Sequence, residues 1–201
     1  MFTINIYLRF ALIAATLIGG IVLSFLFGFW YALPFLLIGV ALLVGYILLG
    51  TVQSAALLMQ KMDFEGAEKR LNLTVKPRWL YSANRAYYYM IKGGIAMQTK
   101  RYPEAEVLLT KAQETGLPSD NERAMVLLQL ANLAVVKNNL TGAQSLMRQA
   151  KQQKVTEVQI KEQIAEFDKA LKNQGAMKTM QYRHRGSMMQ PGGKRKRPKG
   201  R

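Results

Sequence analysis

Between residues 10 and 60 the chain holds no Asp, Glu, Lys, Arg or His. A helix that crosses a bilayer needs about 20 predominantly apolar residues, so this stretch has room for two. Nothing else in the chain is large enough to cover two such helices in a soluble core. The expectation is a hairpin of two membrane spans at residues 7–28 and 34–49. Phe29, Trp30 and Tyr31 form an aromatic belt in the connection, with Pro34 suited to the first turn of the second helix. Gly20, Ser24 and Gly28 in the first span, and Ala41 with Gly45 in the second, are small residues four apart. That spacing lets membrane helices approach closely, within the hairpin or against another membrane protein.

Orientation follows from the cations near the span ends. Arg9 flanks the first span and Lys61, Lys69 and Arg70 follow the second, while the connection has none, which places both termini in the cytoplasm. The first apolar segment is too long for a secretory signal and a second span follows at once, so the hairpin is expected to remain on the mature protein. Asn72 and Asn139 begin Asn-Leu-Thr glycosylation patterns that fall on this cytoplasmic side and are read as chance matches.

Beyond the spans one pattern occurs three times. Phe64 and Ala67, Tyr102 and Ala105, and Leu140 and Ala143 are pairs with the same internal spacing, set 38 residues apart. Twelve residues before each alanine stands a small residue, Ala55, Gly93 or Ala131. Four residues after it stands a large one, Leu71, Leu109 or Met147. Three further on come Thr74, Ala112 and Ala150. Small and large residues alternating at helical spacing are what two packed helices need to interlock.

These positions resemble the tetratricopeptide repeat, most fully in the second copy and least in the first, where Thr74 replaces the usual alanine. That family has a period of about 34 residues, so the longer spacing here implies longer turns, at residues 76–82 and 116–121. The resemblance covers residues 48–154, and the stretch 48–62 is expected to be both the end of the second span and the first helix of repeat one. Gly50 is its single flexible point.

Ser119 with Glu122, and Thr156 with Gln159, read as capping boxes. After the second of these, Ile160, Ile164, Phe167 and Leu171 form an apolar stripe, with Lys161, Glu162, Glu166 and Lys169 outward. This is expected to be the capping helix that a repeat array needs over its last apolar face. Past Asn173 the periodicity ends, and the glycine-rich basic remainder is expected to be disordered. The predicted organisation is therefore all-α: a transmembrane hairpin at 1–50, an α-solenoid of three helix-turn-helix repeats with a capping helix at 51–173, and a tail at 174–201.

The sequence supports binding and not catalysis. It lacks cysteine, and its single histidine, His184, lies where no acidic residue follows Asp168. Neither a histidine-based triad nor a histidine metal cluster can be assembled. No phosphate loop or nucleophile elbow is present. The expectation is no enzyme activity, no cofactor and no small-molecule substrate.

In the family it resembles, the first helix of each pair lines a concave face. The corresponding residues are Tyr87, Met90, Gly94 and Met97 in repeat two, and Met125, Leu128, Asn132 and Val135 in repeat three. This apolar, methionine-rich lining suits a protein partner. The lysine and asparagine clamp that some members use for a C-terminal carboxylate is not implied, since only Asn132 occupies a comparable position.

The net charge is +16, and nine cations without one acidic residue follow residue 172. Lys194, Arg195, Lys196, Arg197, Lys199 and Arg201 form a dense cationic end. The alternative function is accordingly a membrane receptor whose tail holds RNA, a ribosome or anionic lipid.

Overall fold

The computed structural model describes residues 6–187. Among these residues every regular element is helical. Helix α1 runs Ile6–Phe27 and α2 runs Phe29–Leu49. Both are long and apolar enough to cross a membrane, and only 11% and 17% of their apolar windows are buried. They are thus not the core of the helical domain that follows.

The connection expected at residues 29–33 is a single residue. Gly28 turns the chain at φ 95° and ψ 163°, a conformation that in practice only glycine adopts, and the aromatic belt is the first turn of α2. The close contacts of the hairpin match the expectation at Gly20 and differ from it elsewhere. Ile13 and Gly20 on α1, and Ala32, Gly39 and Tyr46 on α2, are buried, a seven-residue spacing like that of a coiled coil. A Cβ on Gly39 would stand 2.6 Å from Leu17 Cδ2, and one on Gly20 2.9 Å from Leu36 Cδ2. Ala41 faces outward.

Six further helices follow as three pairs: α3 (Val52–Gln60) with α4 (Phe64–Asn72), α5 (Ser82–Gln98) with α6 (Tyr102–Thr115), and α7 (Asp120–Val136) with α8 (Leu140–Gln152). The 38-residue spacing is present in the backbone itself. Each pair turns through a residue in the left-handed region, Met62, Lys100 or Asn138. In each, the next N–H donates to the carbonyl five residues back: Asp63 to Leu58 at 3.0 Å, Arg101 to Ala96 at 2.8 Å and Asn139 to Ala134 at 2.8 Å. This is the Schellman arrangement, normally built on glycine. The new helices are capped by Asp63, whose Oδ1 accepts from Gly66 N, and by Asn139, whose Oδ1 accepts from Gly142 N.

The pattern residues form the interfaces. Ala55, Ala131, Ala67, Ala105, Ala143, Leu71, Leu109, Met147, Ala112 and Ala150 are all buried. Gly93 lies so close to α6 that a Cβ would fall 2.8 Å from Leu109 Cγ. Of the two longer turns expected, residues 73–81 do form one, with a short 3₁₀ turn at Pro77–Trp79. The other is only residues 116–119; Asp120 and Asn121 already belong to α7.

The second apolar helix does not run unbroken into the first pair. It stops at Leu49, and Gly50, at φ 62° and ψ −153°, redirects the chain. Hydrogen bonds then fix the break. Tyr81 N donates to Leu48 O at 2.8 Å and Asn84 Nδ2 to Leu49 O at 2.9 Å, which satisfies carbonyls that a helix end leaves open. The Tyr46 hydroxyl donates to Leu73 O and the Thr51 hydroxyl to Arg70 O. Thr51 and Thr74, both buried, also pair through their hydroxyls at 3.1 Å. Thr74, the departure from the repeat pattern, therefore takes part in the hydrogen bonds that join the first pair to the hairpin end.

The last helix, α9, runs Val158–Ser187 and so continues well past Asn173, where the periodicity predicts an end. Ile160, Ile164 and Leu171 are buried against α7 and α8. Asp168 receives Lys151 from α8 at 2.5 Å and Lys172 at 3.0 Å. The hydrogen bond from Lys151, then that from Lys172, holds its carboxyl below the usual range.

A carboxyl lowered on folding stabilises the fold while ionised. That contribution is present above its unfolded value of about 4 and is lost as pH falls below it. Hydrogen exchange across α9 is therefore expected to accelerate on acidification from pH 5 to pH 3 relative to exchange in α5. Asp168→Asn should show the faster exchange already at pH 7.

The capping boxes form differently from the expectation. The Ser119 hydroxyl accepts from Asn121 N at 3.2 Å, but Glu122 reaches away to Tyr87. Thr156 lies before α9 and donates its N–H to Asn121 Oδ1 at 2.8 Å, which fastens the start of the last helix to the start of α7.

Candidate functional site

The first helices of successive pairs lie side by side, and α9 closes the far end. Between them is a cavity of about 540 Å³, bounded by Met59 of α3, Gly94, Met97 and Gln98 of α5, Leu128, Gln129 and Asn132 of α7, and Gln163, Glu166, Phe167 and Ala170 of α9. Four of the eight groove residues named from the sequence come together there: Gly94, Met97, Leu128 and Asn132.

The other four do not line this cavity. Met90, half-buried, packs against the core between the second and third pairs, as Met97 also does, and Met125 and Val135, half-buried, pack against the core that α7, α8 and α9 share, as Leu128 also does. The Tyr87 hydroxyl donates to Glu122 Oε1 at 2.9 Å. Burial first, and that bond second, push the Tyr87 phenol up to about 12.

The cavity wall has two chemistries. Met59, Met97, Leu128 and Phe167 supply an adaptable apolar surface. Gln98, Gln129, Asn132 and Gln163 supply amides, each able to donate and accept. The Gln129 Oε1 atom is shielded from solvent and accepts no hydrogen bond from the described residues.

Glu166 is the single charged residue on the wall, and it is exposed. Gly94 borders the cavity, and a Cβ built on it would meet Met59 Cε at 3.7 Å, an ordinary van der Waals contact. Among the described residues no group of three His, Asp or Glu side chains is placed to hold a metal ion.

One lining residue that the sequence reading missed was within its reach. Met59 stands 38 residues before Met97, so the repeat spacing assigns the two to one face. Of the α9 contributors only Phe167 lies on the apolar stripe; Gln163, Glu166 and Ala170 lie beside it and carried no comparable signal. The six tail cations from Lys194 to Arg201 lie outside the described residues. Comparison of the chain with family models, with curated proteins and with solved structures yields no match.

Proposed function

We propose that this chain is a membrane-anchored scaffold of the tetratricopeptide type, held in the bilayer by the α1–α2 hairpin, that receives a segment of a partner protein in the cavity between α5, α7 and α9. The observation that carries the reading is the cavity wall itself. Methionines and Phe167 form an apolar floor, and four amides surround it at half-buried to exposed positions. Apolar side chains with peptide N–H and C=O groups are the chemistry that such a wall complements.

Support for the scaffold class comes from the threefold Schellman turn and the buried pattern residues at one spacing. Support for the membrane comes from two uncovered apolar helices and from the distribution of cations around them, which favours a cytoplasmic repeat domain. On this reading the solenoid does not swing on a tether: hydrogen bonds at Gly50, Thr51 and Tyr81 set its distance and angle from the bilayer.

Gly94→Leu tests the groove with little risk to the fold, since the position is open and leucine favours helix over glycine by up to about 1 kcal/mol. The expected result is a melting temperature unchanged or raised by a few degrees, with partner affinity reduced about tenfold or more. Met97→Asp should lower affinity similarly by placing a charge on the apolar floor. Full partner retention in both variants, measured from native membranes, would move the binding surface elsewhere.

A further inference from the structure

The loop at residues 73–81 is tied at both ends to the last turn of α2. The Tyr46 hydroxyl donates to Leu73 O, and Tyr81 N donates to Leu48 O at 2.8 Å. Helix α2 has 21 residues, about 31 Å at 1.5 Å per residue, against a hydrocarbon core of about 30 Å. With Trp30 and Tyr31 at one interface, Leu48 and Leu49 reach the other, and the loop is carried there with them.

Its composition matches that location. Val75, Trp79 and Tyr81 are 59%, 50% and 63% exposed. Lys76 and Arg78 are exposed between them, and Lys76 Nζ sits 4.8 Å from the centroid of the Trp79 ring. No Asp or Glu occurs between Glu68 and Glu104, while Lys or Arg stands at eight positions in that interval. Tryptophan and tyrosine favour the headgroup level of a bilayer, and cations there attract anionic lipid.

We propose that residues 73–81 form a second membrane contact, which beds Trp79 and Tyr81 at the headgroup level and holds anionic phospholipid headgroups with Lys76 and Arg78. This rests on the reading of α1 and α2 as a membrane hairpin. Charge complementarity and continuity with the apolar surface of α2 select the bilayer as the occupant. The contact adds a second point of attachment on the cytoplasmic side and restrains the repeats from tilting about Gly50.

The chain has two tryptophans, Trp30 and Trp79, so each can be read alone. The full chain carrying Trp30→Phe would be reconstituted in vesicles of phosphatidylcholine with phosphatidylglycerol, using either lipid brominated near the glycerol end of its acyl chains. Trp79 emission should be blue-shifted and quenched. Brominated phosphatidylglycerol should act at about fivefold lower mole fraction than brominated phosphatidylcholine for each cation engaged. Lys76→Glu with Arg78→Glu should abolish that headgroup preference.

Water-like, unquenched Trp79 emission would overturn the proposal and leave the loop as a surface for protein. Equal quenching by both lipids would overturn its anionic part. In the Trp79→Phe chain, quenching of Trp30 reports the hairpin: if Trp30 is quenched and Trp79 is not, only the loop contact fails. If Trp30 is also unquenched, the membrane reading fails and the loop proposal falls with it.

Discussion

Gly50→Val should lower the stability of the purified chain by about 3 kcal/mol, combining backbone strain of about 1–3 kcal/mol with overpacking of similar size. Gly50 holds φ 62° and ψ −153°, and a Cβ there would stand 2.6 Å from Leu80 Cδ2. Leu80 is buried in the core of the first pair, so the clash cannot be relieved at the surface. The Tyr81 and Asn84 bonds to the end of α2 are expected to break with it. A melting experiment in detergent should show a shift of several degrees. Hydrogen exchange should rise at Tyr81 and in α3 while α7 and α8 keep their protection. Wild-type exchange at Tyr81 in the variant would show that the break at Gly50 tolerates a side chain, and that the joint is looser than its hydrogen bonds imply.

The second large effect distinguishes two adjacent glycines. Gly93→Ala places a methyl 2.8 Å from Leu109 Cγ and 3.3 Å from Leu109 N. The second distance involves backbone, so α5 and α6 must move apart, at a cost of about 1–3 kcal/mol that exceeds the gain of about 1 kcal/mol from replacing a helical glycine. Gly94→Ala meets only Met59 Cε at 3.7 Å and keeps that gain. Denaturant midpoints should move in opposite directions, down for Gly93→Ala and up for Gly94→Ala. Equal shifts would mean that the twelve-residue offset between Gly93 and Ala105 does not mark the helix contact.

This pair also shows what the sequence makes legible. Small residues at one spacing mark helix crossings because only they admit a neighbouring backbone, and each such position is buried in the structure. The charge-free run likewise has few outcomes open to it, and two long apolar helices follow. Long-range partners leave weaker marks. Gly50 can be read as flexible, but the break there is set by Leu73, Thr74, Tyr81 and Asn84, which lie more than 20 residues along the chain.

The Schellman turns at Met62 and Lys100 carry no compositional signal, since neither residue favours the left-handed region; Asn138 alone does. The one-residue hairpin turn is hidden because Phe29, Trp30 and Tyr31 suit an interface whether or not they are helical. In the groove, Tyr87, Met125 and Val135 show a different limit. Repeat position identifies the face of a helix, yet on that face a neighbour such as Glu122 or the α9 core can claim a side chain before a ligand does.

If the cavity around Met97 holds the partner, position 97 lies within crosslinking reach of it. A photo-crosslinking residue at position 97 of the full chain, activated in native membranes, tests this most directly. The control is the same residue at position 107, where Val107 is exposed and outside the cavity. A discrete protein adduct is expected from position 97 and none from 107. The adduct should persist at high salt and in a chain ended at residue 187, and Leu128→Asp should abolish it. No adduct from position 97, with partner recovery that requires residues 188–201 and disappears at high salt, would rule out the cavity as the binding surface and favour an electrostatic receptor.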